Sequence, residues 1–237
     1  MRLTILKCGF IRTWRHLLAG ERDTPERIDV PVPFFVLEHR EQLILFDAGQ
    51  VKPSEPVPED AAYIPLMSEN DTLTAQLQTH GFPPEKISAV ILSHTHGDHC
   101  GGLEELKNVP CLIQKNEAET PSGAALMKAF PDRVWRIIDG RTDLYGDGRI
   151  IALPTPGHTP GHQSLLVQMD NGSRVCLAAD ALYMDAALDD DREMRYTSPE
   201  SIRVLRALRG ENVRIISGHD PGSFEGHCQY FRQHPAG

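Results

Sequence analysis

The chain has 237 residues, with 24 Lys and Arg against 33 Asp and Glu, so its formal net charge is −9. That balance argues against a protein that grips phosphate backbones, and a 40% hydrophobic share fits an ordinary globular chain. No stretch approaches the ~20 apolar residues of a membrane span. The opening MRLTILKCGF has no signal-like apolar run, and the five scattered cysteines form neither a disulfide framework nor a CxxC pair, so a cytoplasmic protein is expected.

In chain order, residues 2–8 read as a strand and 11–30, charged without a steady period, as loop. Residues 32–38 and 42–46 read as a hairpin around His39 and Arg40, and 52–60, rich in Pro and Glu, as a loop. A helix is predicted over 71–80, stopping before Gly81. Residues 87–92, ISAVIL, are almost wholly apolar, the pattern of a strand covered on both faces. A short helix at 102–107, a small strand at 111–113, a helix over 117–129 and strands at 134–138, 149–153, 163–169 and 174–178 follow. Residues 199–209 form an amphipathic helix with Ser198 as cap and Pro199 at its first position, and 213–216 are the last strand. Helices falling between groups of strands point to a layered α/β sandwich in a single domain, 1–237.

The chemistry concentrates at strand ends. Ser93-His94-Thr95-His96-Gly97-Asp98-His99 follows the 87–92 strand and places three imidazoles and a carboxylate within six residues. His94 and His96 can face one metal ion and Asp98 with His99 a second, Gly97 permitting the turn between the pairs. His158 lies in Thr155-Pro-Gly-His158-Thr-Pro-Gly-His162, Asp180 ends the 174–178 strand, and His219 follows the 213–216 strand. Five His and two Asp exceed the four ligands of one site, which points to two ions.

With these residues the chain resembles the metallo-β-lactamase superfamily of metal-dependent hydrolases, through His94-Thr-His96-Gly-Asp98-His99, His158, Asp180, His219 and the turn Phe46-Asp47-Ala48-Gly49. The resemblance implies a four-layer αβ/βα sandwich with the metals at one edge. It implies His94, His96 and His158 on the first ion, Asp98, His99 and His219 on the second, and Asp180 bridging. Asp47 would stand behind the ligands, a plain turn Asp being the alternative. No Glu replaces His96, which argues for hydrolysis over the redox branch, and Asp180 makes β-lactam hydrolysis a poor fit. Asp180-Ala-Leu-Tyr183 is similar to the Asp-x-x-Tyr of the N-acyl homoserine lactonases, which would put the Tyr183 phenol beside the metals.

The resemblance implies attack on a lactone carbonyl by a hydroxide shared between two divalent ions, mostly zinc, with Fe, Mn or Co as other occupants. Tyr183 would steady the developing negative charge and Asp98 pass a proton to the leaving alkoxide. Ser93 and Cys100 lack a separate base and orienter, so covalent catalysis is not expected. The loops at 50–70 and 182–196 are expected to wall an acyl chain with Tyr63, Ile64, Leu66, Met67, Met184 and Leu188, with Phe34 and Trp14 contributing. The expected partner is a small amphiphilic lactone or ester, not nucleic acid, and a homodimer is the candidate assembly. A glyoxalase II-like thioesterase, a general carboxylesterase, a phosphodiesterase and a metal-binding protein without turnover stay open as alternatives.

Overall fold

Apolar side chains alternate along β1 (Arg2–Trp14), Leu3 and Ile5 facing one core while Leu6 and Cys8 face another. The computed structural model describes residues 1–19, 26–189 and 196–233. β1 pairs antiparallel with β2 (Arg27–His39), and β2 with β3 (Gln42–Phe46). His39 pairs with Gln42, so the turn residues are Arg40 and Glu41, at φ 48° and 63°, not the pair His39 and Arg40. A two-residue loop with both φ positive matches the twist of the flanking strands.

The residues expected as loop over 11–30 are largely ordered: β1 runs to Trp14, a short helix α1 (Arg15–Ala19) follows, and β2 starts at Arg27. Charges hid the strand period because they pair across the ladder, Arg12 with Asp29 at 2.7 Å. Residues 20–25 of that segment lie outside the described residues.

The first sheet also holds β4 (Tyr63–Leu66), which the sequence reading missed, and the parallel strands β5 (Ile87–Ile91), β6 (Cys111–Gln114) and β7 (Trp135–Ile138), in the order β4-β1-β2-β3-β5-β6-β7. The second sheet runs from β8 (Thr142–Asp143) through β9 (Ile150–Pro154), β10 (Gln163–Gln168) and β11 (Arg174–Ala179) to β12 (Val213–Ser217). Phe35, Phe46 and Ile91 of the first sheet meet Leu165, Val167 and Leu177 of the second in an inner core.

Helices cover the outer faces. α2 (Leu73–Thr79) lays Leu73 and Leu77 on the first sheet beside Val90. Within the first sheet's chain segment, α3 (Gly97–Cys100) and a 3-10 turn over Gly101–Glu105 lie between β5 and β6, and α4 (Lys115–Ala118) and α5 (Pro121–Ala129) between β6 and β7. The single helix expected over 117–129 is therefore two, because Thr120 caps Gly123 N at 3.0 Å and Pro121 has no N–H to continue α4. α6 (Pro199–Gly210) sets Ile202 and Leu205 on the second sheet beside Cys176 and Ala178. The order helix, sheet, sheet, helix is the expected four-layer sandwich. A last helix, α7 (Phe224–Gln233), was not foreseen, although Phe224, Cys228 and Phe231 stand at the i, i+4, i+7 spacing that packs them on the inner core.

Candidate dinuclear metal centre

Five strand ends meet at one edge of the sandwich. Asp47 follows β3, His94 follows β5, His158 follows β9, Asp180 follows β11 and His219 follows β12. Gln163, at the start of β10, ties the sheets together there: its backbone N donates to Ser93 O at 2.9 Å and its side chain to Leu92 O at 2.7 Å. All seven residues singled out in the sequence come together, in two groups sharing Asp180: His94, His96, His158 and Asp180, and Asp98, His99, Asp180 and His219.

In the first group His158 Nε2 lies 3.0 Å from His94 Nε2 and 2.8 Å from His96 Nδ1. Asp180 turns one oxygen to each group: Oδ2 is 3.2 Å from His158 Nε2, and Oδ1 is 3.1 Å from His99 Nε2 and 3.2 Å from His219 Nε2. Asp98 Oδ2 lies 3.7 Å from His99 Nε2 and 3.6 Å from His219 Nε2. Four ligands set tetrahedrally around an ion at 2.0–2.1 Å stand about 3.3 Å from one another, so this spacing suits zinc-like ions.

The hydrogen bonds behind the imidazoles fix which nitrogen faces inward. His99 Nδ1–H donates to Asp47 Oδ2 at 2.8 Å, and His219 Nδ1–H to Pro31 O at 2.8 Å. His94 Nδ1–H donates to Ser93 Oγ at 2.9 Å, which itself donates to Asp47 Oδ2 at 2.8 Å. His158 Nδ1 meets the Tyr183 hydroxyl at 2.6 Å. In the neutral imidazoles that can bind a cation, the inward nitrogens are therefore lone pairs pointing at lone pairs, and buried His99 Nε2 and Asp180 Oδ1 have no hydrogen-bond partner. Cations resolve that repulsion, so the donor set fits two metal ions.

Burial, reinforced by His99, holds the His94 imidazole well below its ordinary pKa, and burial lowers His158 as well. Burial also opposes charge on His99 and His219, but Asp180 and Asp98 outweigh it and raise both. Burial works likewise against the Asp180 carboxylate, yet His99, His219 and His158 bring it well below the usual range. The Tyr183 phenol is pushed up by burial and then by Asp180, so it stays a proton donor. Ala179, at φ 46°, holds a strained conformation immediately before Asp180.

Asp47 is no plain turn residue: besides His99 and Ser93 Oγ it accepts Ser93 N at 2.7 Å. Ser93 is buried and its proton goes to Asp47, so it offers no nucleophile. Gly97 is not the turn between ligand pairs; it is the first residue of α3, whose helical start swings Asp98 and His99 across. His162 stays outside both groups, with its ring beside that of His94 at 5.2 Å and Nδ1 hydrogen-bonded with Thr155 Oγ1 at 2.9 Å.

A cavity of about 720 Å³ opens on the two groups, lined beside them by Ile11, Leu18, Val30, Val51, Tyr63 and Tyr196 among others. Of the side chains named for the acyl wall only Tyr63 lines the cavity, although both expected segments reach it, 50–70 also through Gln50, Val51, Pro53 and Pro65 and 182–196 through Tyr183 and Tyr196. Phe34, Met184 and Leu188 are buried in packed cores, Met67 packs against one, Trp14 lies under the Arg27 guanidinium at 4.0 Å, and Ile64 and Leu66 do not line the cavity. The rest of the apolar wall, Ile11, Leu18 and Val30, comes from the ends of β1 and β2 and from α1, the stretch read as loop; residues 190–195 of the expected 182–196 segment lie outside the described residues. Sequence reasoning also missed Pro31 and Glu117. Both act through partners far along the chain, and neither carries a local signal.

A family model described as the metallo-beta-lactamase superfamily matches residues 27–219. The N-acyl homoserine lactonase AttM of Rhizobium radiobacter is 28% identical, over 94% of this chain and 95% of that protein. The N-acyl homoserine lactonase AiiA of Bacillus thuringiensis subsp. kurstaki is 30% identical, over 92% and 94%. A solved N-acyl homoserine lactone hydrolase, with the product N-hexanoyl-L-homoserine bound at its catalytic metal center, is 28% identical, covers 95% of both chains and superposes with a TM-score of 0.79.

Proposed function

Because the chain belongs to the metallo-beta-lactamase superfamily, we propose that it is a dinuclear metallo-hydrolase, one domain over 1–237, that opens the ring of N-acyl homoserine lactones. The observation that carries this reading is the pair of ligand groups sharing Asp180 at the floor of a cavity with an apolar wall. His94, His96 and His158 would hold one ion, Asp98, His99 and His219 the other, and Asp180 both. Bound there, two divalent ions, zinc before Fe, Mn or Co, would supply an activated water and a Lewis acid for the carbonyl oxygen.

The chain's own groups do the rest. His158 donates its Nδ1 proton to the Tyr183 oxygen, so the phenol proton is free to turn to the lactone carbonyl as negative charge grows on it. Asp98 is half-buried and lines the cavity, placed to carry a proton to the leaving alkoxide. A γ-lactone holds carbonyl and leaving oxygen on one small ring, so one pose presents both to the site, an entropic advantage over a linear ester. Ile11, Leu18 and Val30 offer the acyl tail an apolar bed.

The test is proton release from N-acyl homoserine lactones beside linear esters, a glutathione thioester, β-lactams and phosphodiesters, on one metal-loaded preparation. Lactones should give the highest kcat/KM. Faster turnover of any other class contradicts the substrate assignment while leaving hydrolysis in place.

A further inference from the structure

One buried carboxylate belongs to neither ligand group and yet joins the two loops that build the first. Glu117, in α4, is fully buried. Its Oε1 accepts Thr95 N at 3.0 Å and Thr95 Oγ1 at 2.8 Å. Its Oε2 accepts Thr159 Oγ1 at 2.6 Å and Gly161 N at 3.2 Å. Thr95 stands between His94 and His96, and Thr159 directly follows His158. The two oxygens of one side chain therefore span the gap across which those three imidazoles meet.

The surrounding sequence is cut to fit. A Cβ on Gly161 would lie 1.9 Å from Glu117 N, and one on Gly123 would lie 2.1 Å from Glu117 O. The second Pro-Gly of the Thr-Pro-Gly-His repeat thus lets its loop rest on the start of α4. Four donors on one buried carboxylate offset its desolvation and leave each loop little freedom to shift. The second ligand group is held by other means: His99 by Asp47 and His219 by Pro31 O.

We propose that Glu117 is a positioning residue that sets the spacing of His94 and His96 against His158, and so governs how tightly the first of the two metal ions is held. This rests on the dinuclear reading above. Removing an outer partner of a ligand commonly weakens metal binding about ten- to a hundredfold. Glu117→Gln turns one of the two acceptor oxygens into a donor, which can accept neither Thr95 N nor Gly161 N. Thr159→Val removes the shorter of the two ties to the His158 loop, leaves Gly161 N in place and spares the buried carboxylate.

The test is competition for zinc between a chromophoric chelator and metal-free wild type, Glu117→Gln and Thr159→Val, with thermal unfolding of each metal-free protein alongside. In both variants one of the two zinc affinities should fall about ten- to a hundredfold, while the other stays within about threefold of wild type. Placed in a His219→Ala background, which keeps the first group intact, Glu117→Gln should weaken the ion that remains; in a His96→Ala background it should not. Should Glu117→Gln fail to fold, Thr159→Val carries the comparison. Two unchanged affinities, or two that fall equally, with only the unfolding temperature lowered, would make Glu117 a packing residue. A wild-type chain that takes up fewer than two ions overturns the dinuclear reading first, and this inference with it.

Discussion

Each imidazole with an oxygen behind it has one nitrogen committed outward, and that choice leaves the other as a lone pair facing the centre. Asp180 is the residue on which the arrangement turns, since its two oxygens face different groups. Asp180→Asn removes the charge that offsets two cations and turns an amide N–H toward one group. At least one ion should be lost per chain, and lactone turnover should fall about a hundredfold or more; metal analysis and kinetics on the same sample check this. Tyr183→Phe removes a donor while leaving the ligands, so both ions should stay and kcat/KM for lactones should drop about tenfold, less than a sole oxyanion donor would cost. Unchanged kcat/KM would return Tyr183 to packing. His162 gives a pH signature. Burial lowers its pKa to about 3 against about 6.5 in the unfolded chain, so below pH 6.5 the unfolded chain binds a proton that the folded one refuses. Stability therefore falls with pH there by roughly 1.4 kcal/mol per unit. Between pH 7.5 and 5, metal-free wild type should lose about 2 kcal/mol more than His162→Gln in urea unfolding; parallel losses would contradict it.

At the scale of elements, ligand placement follows from where strands stop. The apolar run 87–92 is legible because a strand covered on both faces has no polar alternation to hide it, and candidate ligands follow directly on it, as they do on 213–216. The same logic failed for 11–30. There one face of β1 and β2 carries paired charges and the other lines the cavity, so the ladder looked like loop and its share of the cavity wall, Ile11 and Val30, was overlooked. Glu117 was invisible for a different reason: its partners lie 22 and 42 residues away, and a Glu early in a helix ordinarily reads as solvated surface. The cap of α6 was readable and is also structural support for the His158 loop. Ser198 Oγ accepts Ser201 N at 3.0 Å, Ser201 Oγ donates to Pro156 O at 2.7 Å, and a Cβ on Gly157 would meet Ser198 N at 2.5 Å. Ser198→Ala should cost about 1 kcal/mol in urea unfolding, with both zinc affinities within about twofold of wild type.

For the whole molecule, the sandwich sets five strand ends around two candidate ligand groups and gives them an apolar-walled cavity. Among the described residues no helix is long and apolar enough to cross a membrane. The seven candidate ligands were legible because they lie in short His- and Asp-bearing motifs at or just after strand ends; the substrate was less so, because a cavity wall is assembled from residues far apart in the chain. The proposed lactonase needs both ligand groups filled. Zinc should be added stepwise to chelator-stripped protein while proton release from an N-acyl homoserine lactone is followed. Activity should be absent at the start and reach its plateau at two equivalents per chain, with the second equivalent required for most of it. Full activity at one equivalent, or lactone opening by the stripped protein, would contradict the account.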